Sequence, residues 1–191
     1  MPLDLVIFGA PGAGKGTQAP RLGDERGIPH ISTGDIFRAN VSEGTSLGLE
    51  AQRYMDAGEY VPDGVTNAMV RDRLSQDDCA PGFLLDGYPR TVEQVGELEA
   101  MLRSSGHALD GVVELEVDID EVVSRLVKRA AEQGRSDDTE DVIRRRLEVY
   151  LEQTAPLLAM YADQGLLIGV DGLGDVDEVS ARIVAALGID R

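Results

Sequence analysis

Cysteine occurs once in this 191-residue chain, as Cys79; histidine occurs twice, as His30 and His107, and tryptophan is absent. A lone thiol excludes a disulfide framework, and one cysteine with two histidines falls short of the four ligands that a structural zinc site takes. Lysine is nearly as scarce, with only Lys15 and Lys128. No apolar run approaches the roughly 18 residues of a membrane span, and residues 1–8 lack the basic start of a signal peptide. A soluble, cytoplasmic protein is expected. Positive charge is short overall: 18 basic against 35 acidic residues leave a net charge of −17. Such a surface repels nucleic acid and anionic membranes, so neither is expected as a partner. The acids serve solubility or, since the cations are nearly all arginine, adaptation to salt.

What is present alternates. Short β-type runs, "LDLVIF" (3–8), "GFLLD" (82–86), "GVVELEV" (111–117) and "LLIGV" (166–170), with a weaker one at 28–32, are separated by helical patterns. The helices are predicted over 14–26, 63–75, 91–105, 119–132, 138–160 and 175–187, with Thr91 (Gln94 three residues on) and Asp118 as candidate caps. Alternation of this kind predicts an α/β fold, a doubly wound five-stranded parallel sheet with helices on both faces. Ligands then sit beyond the carboxyl ends of the strands. Two segments break the pattern. Residues 32–61 predict a small subdomain of two short helices, and residues 129–138, "RAAEQGRSDD", a short polar flap; the core is 1–31, 62–128 and 139–191. Both segments are also compatible with ordinary surface loops.

The stretch "GAPGAGKGTQ" (9–18) follows the first strand and opens the first helix. Gly9-x-x-x-x-Gly14-Lys15 in that setting is a phosphate-cradling loop. Glycines let backbone N–H groups approach phosphate oxygens, the helix N-terminus adds its dipole, and Lys15 adds a point charge. The residue after the lysine is Gly16, with the hydroxyl delayed to Thr17. Mg²⁺ is expected with the phosphates, and Asp86, closing "FLLD", is either its carboxylate, directly or through water, or a turn cap ahead of Gly87. The guanine-reading Asn-Lys-x-Asp of GTPase switches does not occur. Arginines stand instead at Arg38, Arg90, Arg125, Arg129, Arg135 and in the run Arg144, Arg145, Arg146. Consecutive helical residues fan out by roughly 100°, so at most one or two of that run reach one site. Converging arginines in so acidic a chain suggest a clamp for a second phosphorylated substrate, against the alternative of solvated helix faces.

"GAPGAGKGTQ", "STGDIFR", "FLLDGYPRT" and "RSDDTEDVIRRRLEVYLEQTAPL" resemble, in order and from end to end, the signature blocks of the adenylate kinase family. The resemblance implies reversible phosphoryl transfer from MgATP to AMP. It implies that Gly12, Ala13, Gly14, Lys15, Gly16 and Thr17, with Arg129 and Gly174, hold ATP. Thr33, Arg38, Glu59, Tyr60, Val61, Gly87, Tyr88, Pro89, Arg90, Gln94, Arg135 and Arg146 would hold AMP. Lys15, Arg90, Arg125, Arg135 and Arg146 would carry catalysis. It also implies a cis Tyr88–Pro89 peptide, a monomer, and a short lid without zinc, since only "AAEQG" separates Arg129 from Arg135. Thr33 and Gln94 favour an adenine acceptor, with a pyrimidine monophosphate kinase and a nucleotide-binding regulator as the alternatives.

Overall fold

The computed structural model describes residues 2–133 and 139–188. Five strands, β1 (Leu3–Phe8), β2 (His30–Ser32), β3 (Gly82–Asp86), β4 (Gly111–Glu116) and β5 (Leu167–Asp171), form one sheet in the order β2-β3-β1-β4-β5. Every neighbouring pair is parallel. Between them run α1 (Lys15–Arg26), α2 (Thr33–Glu43), α3 (Ser46–Asp56), α4 (Asp63–Leu74), α5 (Val92–Ser105), α6 (Ile119–Gln133), α7 (Glu140–Val149) and α8 (Ala155–Asp163), with α9 (Val176–Leu187) after β5.

A parallel sheet is covered on both faces, which is why its strands read as unbroken apolar runs. Alternate residues of β1 serve different cores. Val6 and Phe8 pack with Phe83, Leu85, Leu98, Leu157 and Tyr161 on one side, where the Phe8 and Tyr161 rings tilt together at 5.7 Å. Leu5 and Ile7 pack with Leu84, Val113, Leu22 and Ile183 on the other. All five carboxyl ends therefore emerge on one rim.

The helices begin much as expected, with two departures. Thr91 does cap α5, accepting the Gln94 amide N–H at 3.2 Å, but the Gln94 side chain turns away to other partners. The stretch 138–160 is not one helix: a π-type turn, Tyr150–Thr154, separates α7 from α8. Pro156 has no N–H for the carbonyl four residues back, so the regular ladder breaks and a wide turn absorbs the mismatch. Within 32–61, α2 and α3 are capped by the Ser32 and Thr45 hydroxyls and share a small cluster of Phe37, Ala51 and Val61. Gly48 lets them touch, since a Cβ there would lie 2.1 Å from the Asn40 carbonyl oxygen. Residues 129–133 of the expected flap are the last turn of α6; the rest, Arg135 included, lies outside the described residues.

Candidate functional site

The loop after β1 is shaped by what it packs against. Gly12 has φ +89°, and a Cβ there would meet Leu126 Cγ of α6 at 2.8 Å and the Val122 carbonyl oxygen at 3.1 Å. The chain passes so close to α6 that only glycine fits. Gly14 (φ +107°) then turns the backbone into α1, whose first residue is Lys15. Lys15 Nζ donates to the carbonyls of Gly9 (2.6 Å) and Ala10 (3.1 Å). Burial, with Arg90, Arg146 and Arg129 nearby, brings its pKa from 10.5 down to about 8, against the opposing pull of Asp86. Gly16 and Thr17 lie exposed on the first turn, and Ala13 is buried.

The neighbouring strand ends supply the opposite wall. Asp86, at the end of β3, is buried, which on its own raises a carboxyl pKa; the His30 imidazole 3.5 Å away and the Lys15 charge outweigh this and hold it below its ordinary value. Thr33 Oγ1 donates to the Gly87 carbonyl at 2.9 Å. Gly87 has φ +80° and no room for a side chain, since a Cβ would sit 2.8 Å from Thr33 Oγ1 and from Arg90 Nη2. The Tyr88–Pro89 peptide is cis, and the buried Tyr88 hydroxyl donates to Asn67 Oδ1 at 2.8 Å. Arg90 is fixed from several directions. Its Nε donates to the Gly87 carbonyl (2.7 Å), its guanidinium lies 4.8 Å above the Tyr60 ring centroid, and its carbonyl accepts from Thr154 Oγ1 (2.9 Å). Tyr60 and Thr154 hydroxyls share a bond of 2.7 Å.

The other arginines divide. Arg125 reaches the carbonyls of Ala13 (3.3 Å) and Gly172 (3.2 Å) while Glu121 holds its Nε at 2.8 Å, so α6 is tied to the phosphate loop and to the segment after β5. Arg38 pairs with Asp35 at 2.6 Å. In the arginine run, Arg144 pairs with Glu140 and Arg145 with Glu59 and Glu148, whereas Arg146 turns into the site. The predicted fan of the run therefore delivers one residue inward.

Two cavities meet here. One is lined by Thr33, Tyr60, Val61, Gln94 and Thr154, with Glu59, Gly87, Tyr88 and Pro89 also on its walls. The other runs along residues 12–17 to Asp86, Arg125, Arg129, Gly174 and Val176. Lys15, Arg38, Arg90 and Arg146 line both, so the cations gather at the boundary between the cavities. Gly174 (φ +117°) is reached across Asp171 and Leu173, which Arg182 fastens through their carbonyls. Motif reasoning misses Asp63, Asn67 and Thr154. Asp63 and Asn67 lie outside the signature blocks; Thr154 falls inside the last of them but carries no phosphate-binding signal of its own, and Pro156 beside it marks the break that presents it. Among the described residues no group of three or more His, Cys, Asp or Glu is placed to hold a metal, and no helix is long and apolar enough to cross a membrane.

The family model described as adenylate kinase matches residues 7–166. The chain is 64% identical over 185 residues to an adenylate kinase of a Nocardioides species, covering 97% of each chain. It is 63% identical over 183 residues to the adenylate kinase of Kocuria rhizophila, covering 96% of this chain and 97% of that one. With the adenylate kinase of Thermobifida fusca the identity is 56% over 183 residues, at 96% and 97% coverage.

Proposed function

We infer how the work is divided in a chain that belongs to the adenylate kinase family and interconverts ATP and AMP with two ADP. The observation that carries the reading is the shared wall: Lys15, Arg38, Arg90 and Arg146 line both cavities, which puts positive charge where a phosphoryl group would pass from one to the other. ATP occupies the cavity of residues 12–17, with Arg129 beside its phosphates and Gly174 toward its base. AMP occupies the cavity of Thr33, residues 59–61, residues 87–90 and Gln94. The helical subdomain 32–61 receives AMP and closes over it, and Arg135, from the segment expected as a flap, is assigned to the phosphates by the family resemblance.

An AMP phosphate oxygen attacks the γ-phosphorus of ATP, and the bond to the β–γ bridging oxygen breaks. One ADP forms on each side. The nucleophile is already anionic at neutral pH, so no general base is needed, and catalysis is positioning plus charge neutralisation. Lys15, Arg90, Arg125, Arg135 and Arg146 neutralise the transferring group. Asp86, buried and held ionised at the loop-side cavity, and the exposed Thr17 hydroxyl are oxygen donors of the kind Mg²⁺ takes. Bound with ATP, the ion offsets phosphate charge. Closure excludes water, which would otherwise hydrolyse ATP. The protein acts as a cytoplasmic monomer.

Phosphoryl transfer from MgATP to AMP, CMP, UMP and dTMP, at low and high salt, tests the acceptor. Strong preference for AMP with ADP as sole product is expected; preference for a pyrimidine acceptor overturns the reading of Thr33 and Gln94. Arg90→Ala is expected to lower turnover by about 10³-fold or more with the fold retained. Near-normal turnover in a folded variant removes Arg90 from the site.

A further inference from the structure

Gln94 is 1% exposed and has unambiguous partners at both ends of its amide. Its Oε1 accepts from the Arg90 backbone N–H at 2.7 Å, and its Nε2 donates to Asp63 Oδ1 at 2.7 Å. A backbone N–H only donates and a carboxylate only accepts, so the orientation of the amide is set by chemistry. Asp63 is itself steadied, its other oxygen accepting from Thr91 Oγ1 at 3.0 Å. Arg90 and Asp63 each take one valence of the amide, leaving one N–H and one oxygen lone pair for the cavity that Gln94 lines.

We propose that Asp63 is a positioning residue for base specificity: by taking one Nε2 proton it holds the Gln94 amide in the order that reads a ring-nitrogen acceptor beside an amino donor. Adenine presents that edge. Hypoxanthine and guanine present the reverse, a ring N–H beside a carbonyl oxygen. Turning the amide over to suit them would set its NH₂ against the Arg90 N–H and its oxygen against the Asp63 carboxylate. This rests on the AMP reading of the cavity given above.

Steady-state kinetics with MgATP and either AMP or GMP, on variants checked for folding by circular dichroism, test it. Asp63→Ala is expected to raise KM for AMP about 10-fold or more, with kcat within a few-fold and KM for ATP unchanged. Gln94→Glu alone sets two carboxylates together and is expected to lose both stability and AMP use. Adding Asp63→Asn to it gives the new carboxylate a donor; the double variant regains its melting temperature and prefers GMP over AMP, because a carboxylate accepts from both the N1–H and the 2-amino group of guanine, whereas adenine sets one donor beside an acceptor. The proposal is overturned if Asp63→Ala is folded with KM for AMP near the wild-type value, or if Asp63→Asn rescues neither stability nor transfer in the Gln94→Glu background. The two readings separate through Gln94→Ala. If that variant raises KM for AMP and Asp63→Ala does not, only the role of Asp63 falls. If it leaves KM for AMP unchanged, the base-pocket reading falls with it.

Discussion

At the scale of single residues, Lys15 sets how the site responds to pH. With a pKa near 8 it loses its charge as pH rises through that value, and affinity of the free protein for MgATP falls with it. Bound phosphate oxygens favour the charged form, so the complex keeps its proton to higher pH. The expected profile has kcat/KM for ATP bending down near pH 8 and kcat bending later; Lys15→Arg, always charged, removes the first bend. Identical bends in both profiles would contradict this. Stability moves the other way. The unfolded chain holds this proton up to about 10.5, so between the two values the unfolded state binds more protons. The Lys15 contribution to stability therefore grows as pH rises across that window. Lys15 was legible in the sequence from its glycines and its setting. Asp63 was not, because its importance lies in meeting Gln94 across 31 positions of chain, a contact no local pattern announces.

Elements explain why the loop and α6 work as one piece. The space a Gly12 side chain would need is already filled by Leu126, and Arg125 on the same helix holds the Ala13 carbonyl. Gly12→Ala combines a positive φ with a collision, so it is expected to destabilise by about 2 kcal/mol or more in urea titrations. It also displaces α6, which carries Arg125 and Arg129, and on the role proposed for those arginines kcat is expected to fall beyond what the lost stability explains. A folded variant with wild-type kcat would show the loop and α6 to be independent. The strand–helix alternation could be read from the chain because a buried parallel strand leaves an apolar run between polar helices. The break inside 138–160 could not, because its helical periodicity continues on both sides of the π-type turn and only Pro156 disturbs it. That break matters to the site. It presents Thr154, which donates to the Arg90 carbonyl and bonds the Tyr60 hydroxyl. Thr154→Val keeps the shape and removes both bonds, with an expected loss of about 1–2 kcal/mol and a raised KM for AMP. An unchanged KM would make Thr154 a support of the fold alone.

Over the whole molecule, charge acts with opposite sign on the fold and on the site. A net charge of −17 makes the compact chain repel itself, since its acids outnumber its bases nearly two to one. Pairs such as Arg21–Asp177 and Arg73–Asp78 relieve part of this, but they lie at the surface, where each pair contributes little. The cations that line both cavities, Lys15, Arg38, Arg90 and Arg146, by contrast, gather at the boundary to which the proposed function assigns the phosphates. Raising salt shortens the screening length from about 10 Å at 0.1 M to about 3 Å at 1 M. Self-repulsion then weakens and the folded state gains about 1–2 kcal/mol, an increase in melting temperature of about 3–6 °C. The same screening weakens the attraction between the arginines and nucleotide phosphates, so KM for AMP rises over the same range. Thermal melts and initial rates in sodium chloride, on the same preparation, read both effects. A melting temperature that stays flat or falls would mean that the local ion pairs already balance the acids. A KM for AMP that falls with salt would mean that unfolding at low salt, rather than phosphate attraction, limits activity.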